Sequence, residues 1–134
     1  MHFASIKKSF THSHTRSIPM TAKTLDAYCL SKKGAHKSYP FDATTAVYKV
    51  GEKMFALIAE PETPPRITLK CDPIYALELR SLYASVTGGY YMNKKHWNTI
   101  ICDGEVDEES LREWIDASYA LVVSALPKRA RDTL

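Results

Sequence analysis

Glycine and cysteine are both scarce in this chain. Five glycines stand among 134 residues, and only Gly88 and Gly89 are neighbours. No glycine-rich phosphate loop and no dinucleotide fingerprint fit that spacing. The three cysteines, Cys29, Cys71 and Cys102, are odd in number and form no C-x-x-C pair. Neither a disulfide framework nor paired zinc-ligand spacing follows, and the residues read as reduced thiols among apolar neighbours. No apolar run approaches ~18 residues, so no transmembrane helix is expected. No basic stretch leads into an apolar one near the start, so the secretory-leader pattern is missing. H-E-x-x-H and G-x-S-x-G are absent too. No catalytic residue, metal ligand or cofactor is assigned, and the expectation is a non-enzymatic, cytoplasmic protein.

Acidic residues are missing from one region. The first 19 residues carry Lys7, Lys8 and Arg16 and no Asp or Glu. The whole chain has 18 basic and 15 acidic residues, so the remainder balances at 15 against 15. The net charge of +3 therefore belongs to the leader, and any electrostatic footprint on the rest must be a local patch. Residues 1–19 are rich in Ser, Thr and His without helical or strand period, and read as a disordered extension. Met20-Thr21 is an alternative start. The leader is too short and too poorly amphipathic for a transit peptide. His2, His12 and His14 read as an inert tail rather than a chelator.

What is present fits one domain over residues 20–134. Thr21 caps a first helix expected over residues 22–33, with Gly34 as its left-handed stop. Residues 36–41 read as an extended approach that Pro40 bars from the centre of a sheet. Residues 45–50 and 53–59 form a hairpin around Gly51-Glu52. Its second strand is apolar on both faces and should be the most covered in the sheet. Residues 66–71 alternate, with Ile67, Leu69 and Cys71 on one face and Arg66, Thr68 and Lys70 on the other. Asp72-Pro73 opens a second helix, with Ile74, Leu77, Leu79 and Leu82 expected on the core. A short extended piece near residues 86–92 precedes a last strand over 97–102. Asp107 caps a third helix whose stripe runs through Leu111, Trp114, Ile115, Ser118 and Val122. Ser118 lies on the buried stripe and needs a backbone partner. The expectation is an α+β fold: two layers, an antiparallel five-stranded sheet covered by helices, in the order α-β-β-β-α-β-β-α.

The densest chemistry is Asn93-Lys94-Lys95-His96-Trp97-Asn98-Thr99. With Arg66 and Lys70 it offers a cationic and aromatic surface that suits a phosphate backbone, with Trp97, Tyr90 or Tyr91 stacking on bases. Against that stand simpler roles: a solvated corner for the lysines, turn closure for Asn93, loop orientation for His96 and core anchoring for Trp97. A Ser118–His96–Asp116 triad is rejected, because nothing brings the three together. The acidic run Glu105, Asp107, Glu108 and Glu109 reads as complementing a helix dipole rather than holding a metal.

Several blocks together resemble the MmcQ/YjbR family of small bacterial proteins. They are Tyr39-Pro40-Phe41, Gly51 to Ala56, Leu69-Lys70-Cys71-Asp72-Pro73, Gly89-Tyr90, Asn93 to Thr99, and Ser118 to Val122. They occur in order over about residues 21–130. The resemblance implies a helix-covered antiparallel sheet, similar to secretion chaperones and more loosely to frataxin-like (CyaY-like) proteins. It also implies DNA binding, which would place Arg66, Lys70, Asn93, Lys94, Lys95, His96 and Trp97 at the nucleic-acid interface. The alternative is a protein-interaction or chaperone-like module, meeting a partner or a second copy without nucleic acid or membrane.

Overall fold

A computed structural model describes residues 19–89 and 92–134. The expected disorder of residues 1–19 and the roles weighed for His2, His12, His14, Tyr90 and Tyr91 lie outside the described residues, Pro19 apart. In chain order the elements are α1 (Ala22–Leu30), β1 (Ala35–Ser38), β2 (Thr45–Val50), β3 (Lys53–Ala59), β4 (Arg66–Lys70), α2 (Pro73–Leu82), β5 (Val86–Gly88), β6 (Trp97–Ile101), α3 (Glu108–Ser124) and α4 (Lys128–Asp132). The strands form one sheet in the spatial order β1-β2-β3-β4-β6-β5, every neighbouring pair antiparallel.

The α+β class holds, but the sheet has six strands rather than five. The additional strand is β1, which falls largely within the extended approach to Pro40 expected over residues 36–41. It pairs with β2 from Ala35↔Val50 to Ser38↔Val47 and ends before the proline. An edge strand needs a partner on one side only, so Pro40 excludes the centre and not the rim. The element order is therefore α-β-β-β-β-α-β-β-α-α. Helix α1 also stops at Leu30, short of the expected Lys33.

Local chemistry explains most boundaries. Thr21, Asp72 and Asp107 each accept a hydrogen bond from the backbone N–H three residues on, capping α1, α2 and α3. Gly51 opens the hairpin at φ +59, where a side chain would be strained. Helix α2 faces differently from its expected pattern. Tyr75, Ala76 and Leu79 are buried, whereas Ile74 and Leu77 stand 74% and 62% exposed. The bulky pair Tyr75 and Leu79, one turn apart, sets the rotation and continues into buried Tyr83. Helix α3 buries the expected stripe over β2, β3 and β4, while α2 covers β5 and β6.

Strand β3 is covered on both faces, as its composition implies. It also carries a bulge. Tyr48 pairs with Ala56 and Lys49 with Met54, so Phe55 has no partner on β2. Phe55 and Ala56 both enter the core beneath α3. The β3–β4 ladder ends here at Ala56↔Leu69. Ser118 Oγ takes over beyond it: it donates to Phe55 O at 2.6 Å and accepts from Lys70 N–H at 2.9 Å. One hydroxyl thus bridges two strands where their own ladder stops.

An ionic knot secures the β1 edge. Lys37 Nζ lies 2.8 Å from Asp26 Oδ1 and 3.3 Å from Glu60 Oε2. Tyr48 donates to Asp26 at 2.6 Å. Burial alone would raise the Asp26 carboxyl, but Lys37 and Tyr48 together hold it below its ordinary value. A carboxyl depressed in the folded state contributes stability above its unfolded value of ~3.9, and that contribution fades as pH falls through the folded value. Asp26→Asn should therefore lower stability at neutral pH and flatten the acid limb below about pH 4. Urea melts at stepped pH test this; equal acid slopes in the two proteins would refute it.

Candidate functional site

The strand faces sort the candidate residues. Ile67 and Leu69 point into the helix-covered core, so Arg66, Thr68 and Lys70 point to the face away from the helices. Across from them on β6 stand Ile101, Thr99 and Trp97 in register. Arg66, Lys70 and Trp97 therefore share one surface. Trp97 is only 9% exposed and packs with Val47, Leu57, Met54 and Met92, so it anchors this face rather than offering a stacking ring.

Lys94 goes elsewhere. Asn98 turns toward the helices, accepting from Arg80 Nε at 2.7 Å and donating to Ala76 O at 3.2 Å. Gly88 is its partner on β5. Cross-strand partners share a face, and a Cβ on Gly88 would stand 3.1 to 3.2 Å from Lys94 Cβ, Cγ and Cδ. The Lys94 stem therefore runs along the helix side of the sheet, opposite Lys70 and Arg66. Asn93 closes the turn: its Oδ1 accepts from Lys95 N–H at 2.9 Å and its carbonyl from His96 N–H at 3.1 Å. Lys95 is exposed on that turn. His96 is tied by its backbone, its carbonyl accepting from Cys71 N–H at 2.7 Å.

The residue that fixes this loop was missed in the sequence. Arg80 of α2 donates through Nε to Asn98 Oδ1 and through Nη2 to Lys94 O and, at 3.4 Å, to Trp97 O. A lone Arg in an amphipathic helix resembles any solvated charge, so no linear pattern marks it.

Ion pairs remove several cations from consideration. Arg66 pairs with Glu62 at 3.6 Å, Lys32 with Asp116 at 2.6 Å and Arg112 with Glu108 at 2.6 Å. Among the described residues no carboxylate lies within 4.0 Å of Lys49, Lys53 or Lys70. These three gather around a concavity of about 430 Å³ at the β2–β3 hairpin end, with Glu52, Trp97 and Phe41. Phe41 is 63% exposed and is the ring available at the rim. Lys49 and Lys53 had read only as hairpin residues. A longer trough of about 590 Å³ lies on the face away from the helices, over Leu57, Thr68, Thr87 and Thr99, with Phe41, Met92 and the carboxylates of Asp42 and Glu62 in its lining.

Other chemistries find little support. Burial pushes the Cys29 and Cys102 thiols up to about 12 and Cys71 to about 11, so none is a ready nucleophile. Asp107 caps α3, and Glu105 accepts from the N–H groups of Ala84 and Ser85. Among the described residues no group of three or more His, Cys, Asp or Glu side chains is placed to hold a metal ion. Among the same residues, no helix is long and apolar enough to cross a membrane.

Fold and site together define a small α+β domain with helices on one side of its sheet and a basic hollow at the β2–β3 hairpin end. The chain belongs to the YjbR family, whose model matches residues 30–121. It is 35% identical over 115 residues to the uncharacterized protein YjbR of Escherichia coli K12, covering 86% of this chain and 98% of that one. It is 39% identical over 114 residues to the uncharacterized protein YbdF of Escherichia coli O157:H7, covering 85% and 91%. The crystal structure of Deinococcus radiodurans protein DR2400, with domain DUF419, superposes at a TM-score of 0.82 with 35% identity, over 88% of this chain and 90% of that one. A Pseudomonas syringae protein shares the fold at a TM-score of 0.67 and 24% identity, over 77% and 99%.

Proposed function

We propose that this domain is a non-enzymatic DNA-binding module of the cytoplasm that holds a phosphate backbone with Lys49, Lys53 and Lys70. The observation that carries this reading is the concavity these three share, with no carboxylate within 4.0 Å of any of them among the described residues. Lys32, Lys37, Arg66, Arg112 and Lys128 are each held by a carboxylate, so an anion gains more beside the three clustered lysines than beside any of these. Phe41 at the rim suits contact with a base. Arg66, paired with Glu62, and Lys94, on the other side of the sheet, contribute less.

Three phosphate contacts predict that log Kobs falls with log salt at a slope of about −2 to −3. Lys70→Ala should weaken binding and reduce that slope by about one, whereas Lys94→Ala should leave both nearly unchanged. Fluorescence anisotropy with labelled single-stranded and duplex DNA at ~50 mM salt is the measurement, and flat anisotropy for both would refute the reading.

A second reading, a protein-interaction or chaperone-like module, is favoured by Ile74 and Leu77. They stand exposed one turn apart on α2, away from the lysines. It predicts a salt-tolerant complex with a partner or second copy. Light scattering that reports monomer alone, with an empty pull-down, would remove it.

A further inference from the structure

Two turns and the C-terminal segment meet at one end of the domain. A Cβ on Gly51, in the β2–β3 turn, would stand 3.1 Å from Leu126 Cδ2. A Cβ on Gly34, in the turn after α1, would stand 2.5 Å from Leu134 Cδ2 and 3.7 Å from Val50 Cγ2. Both glycines have positive φ, +77 at Gly34 and +59 at Gly51, so the C-terminal segment comes close where the backbone already favours glycine. His36 Nε2 lies 3.0 Å from Gly51 O and ties β1 to the hairpin turn. Helix α4 runs between the Leu126 and Leu134 anchors, with Ala130 packed on the core and Lys128, Arg129 and Arg131 exposed. The lysine hollow is at the same end: Val122, four residues before Leu126, lines it beside Lys49 and Lys53.

Positive charge collects there. Residues 33–36, 49–53 and 126–134 hold six cations, Lys33, Lys49, Lys53, Lys128, Arg129 and Arg131, against two acidic side chains, Glu52 and Asp132. The rest of residues 20–134 then holds nine basic and thirteen acidic residues. A stretch that is neutral by count is therefore polarised by its fold, with the positive excess at the hairpin end. Lys128 is held by Asp132 at 2.8 Å. Lys33, Arg129 and Arg131 are exposed, and among the described residues no carboxylate lies within 4.0 Å of any of them.

We propose that Lys33, Arg129 and Arg131 form a second phosphate-contacting cluster, so that a DNA duplex lies across this end of the domain and touches α4 as well as the lysine hollow. The inference rests on the DNA reading of the hollow and extends its contact surface. An unpaired guanidinium presents a planar fork that meets two phosphate oxygens at once. A duplex is stiff over this range, so it meets both clusters without the ordering cost that a single strand incurs. Contacts of this kind hold the backbone and read no bases, so the affinity they add is independent of DNA sequence.

Fluorescence anisotropy of a labelled duplex, titrated with the full chain from ~50 to ~200 mM salt, tests this. The three lysines of the hollow alone give a slope of log Kobs on log salt of about −2 to −3, and three further contacts steepen it to about −5. The triple variant Lys33→Gln, Arg129→Gln, Arg131→Gln should return the slope to the lysine-only value. It should also weaken binding at least about ten-fold at ~50 mM salt, with far-UV circular dichroism unchanged. If that variant fails to fold, the double variant Arg129→Gln, Arg131→Gln should flatten the slope by about two. Lys94→Gln with Lys95→Gln, which removes charge from the loop before β6, should change neither quantity. A wild-type slope of about −2 to −3 that the folded variants leave unmoved would overturn the second cluster and leave the hollow standing. An equal loss in the Lys94 and Lys95 variant would overturn it too, because net charge rather than placement would then set the affinity. Flat anisotropy for the wild type would overturn both readings, and retention on phosphatidylserine vesicles beside it would assign these cations to a lipid surface instead.

Discussion

Ser118→Ala should destabilise this protein by about 2–4 kcal/mol, far more than the loss of one exposed hydroxyl. Ser118 is fully buried and its Oγ serves two backbone groups at once, Phe55 C=O and Lys70 N–H. Alanine fits the space but bonds neither. Both groups then lie unpaired inside the protein, at roughly 1–3 kcal/mol each. The damage falls where the Phe55 bulge and the end of the β3–β4 ladder have already left these strands without mutual bonds. The melting midpoint should drop by on the order of 10 °C. Hydrogen exchange at Lys70 should accelerate more than at Ile67, which lies inside the paired ladder. Equal melting curves for the two proteins would show that water replaces the hydroxyl without loss. Because Lys70 lines the basic hollow, the variant should also weaken the DNA binding proposed for that hollow.

Arg80→Ala should produce the second large effect, again about 2–4 kcal/mol, with loosening of the loop over residues 93–97. Arg80 reaches from α2 to Asn98 Oδ1 and to the carbonyls of Lys94 and Trp97. Asn98 is 2% exposed, so its amide oxygen has no ready substitute partner. Lysine cannot reproduce the planar fork, so Arg80→Lys should recover only part of the loss. Urea unfolding gives the stability, and hydrogen exchange at His96, whose N–H closes the turn onto Asn93 O, reads the loop. A stable variant with an unchanged His96 exchange rate would show that Gly88 and the Cys71–His96 bond suffice. Lys70→Ala should leave this loop untouched, which separates the two sides of the sheet.

Several features were legible in the chain because they rest on neighbours in sequence. Gly51-Glu52 specifies a hairpin through backbone conformation alone, and Asp72-Pro73 and Asp107 specify helix starts through local caps. The alternation of Arg66 to Lys70 gave the correct faces, and the α3 stripe put Ser118 inside. The family resemblance agreed with this reading. Other features depend on contacts between distant segments. Strand β1 exists because β2 offers it a free edge, and Ala35–Ser38 has no strong pattern of its own. The facing of α2 was misread because Ile74 and Leu77 fit a helical stripe as well as Tyr75 and Leu79 do. Packing against β5 and β6 made the choice.

The cationic residues divide in the same way. By itself the amino-acid order determined that the leader carries the excess charge and that the rest is neutral, since counting needs no coordinates of space. It also settled that Arg66 and Lys70 leave β4 on the same side, because strand periodicity is a property of the backbone. Only the tertiary structure decided that Lys94 leaves on the opposite side and that Lys49 and Lys53 join Lys70. Those outcomes depend on the β6–β5 register and on how the hairpin end folds beside Trp97. Side-chain convergence is set by strand pairing over long sequence separations, and no local spacing encodes it.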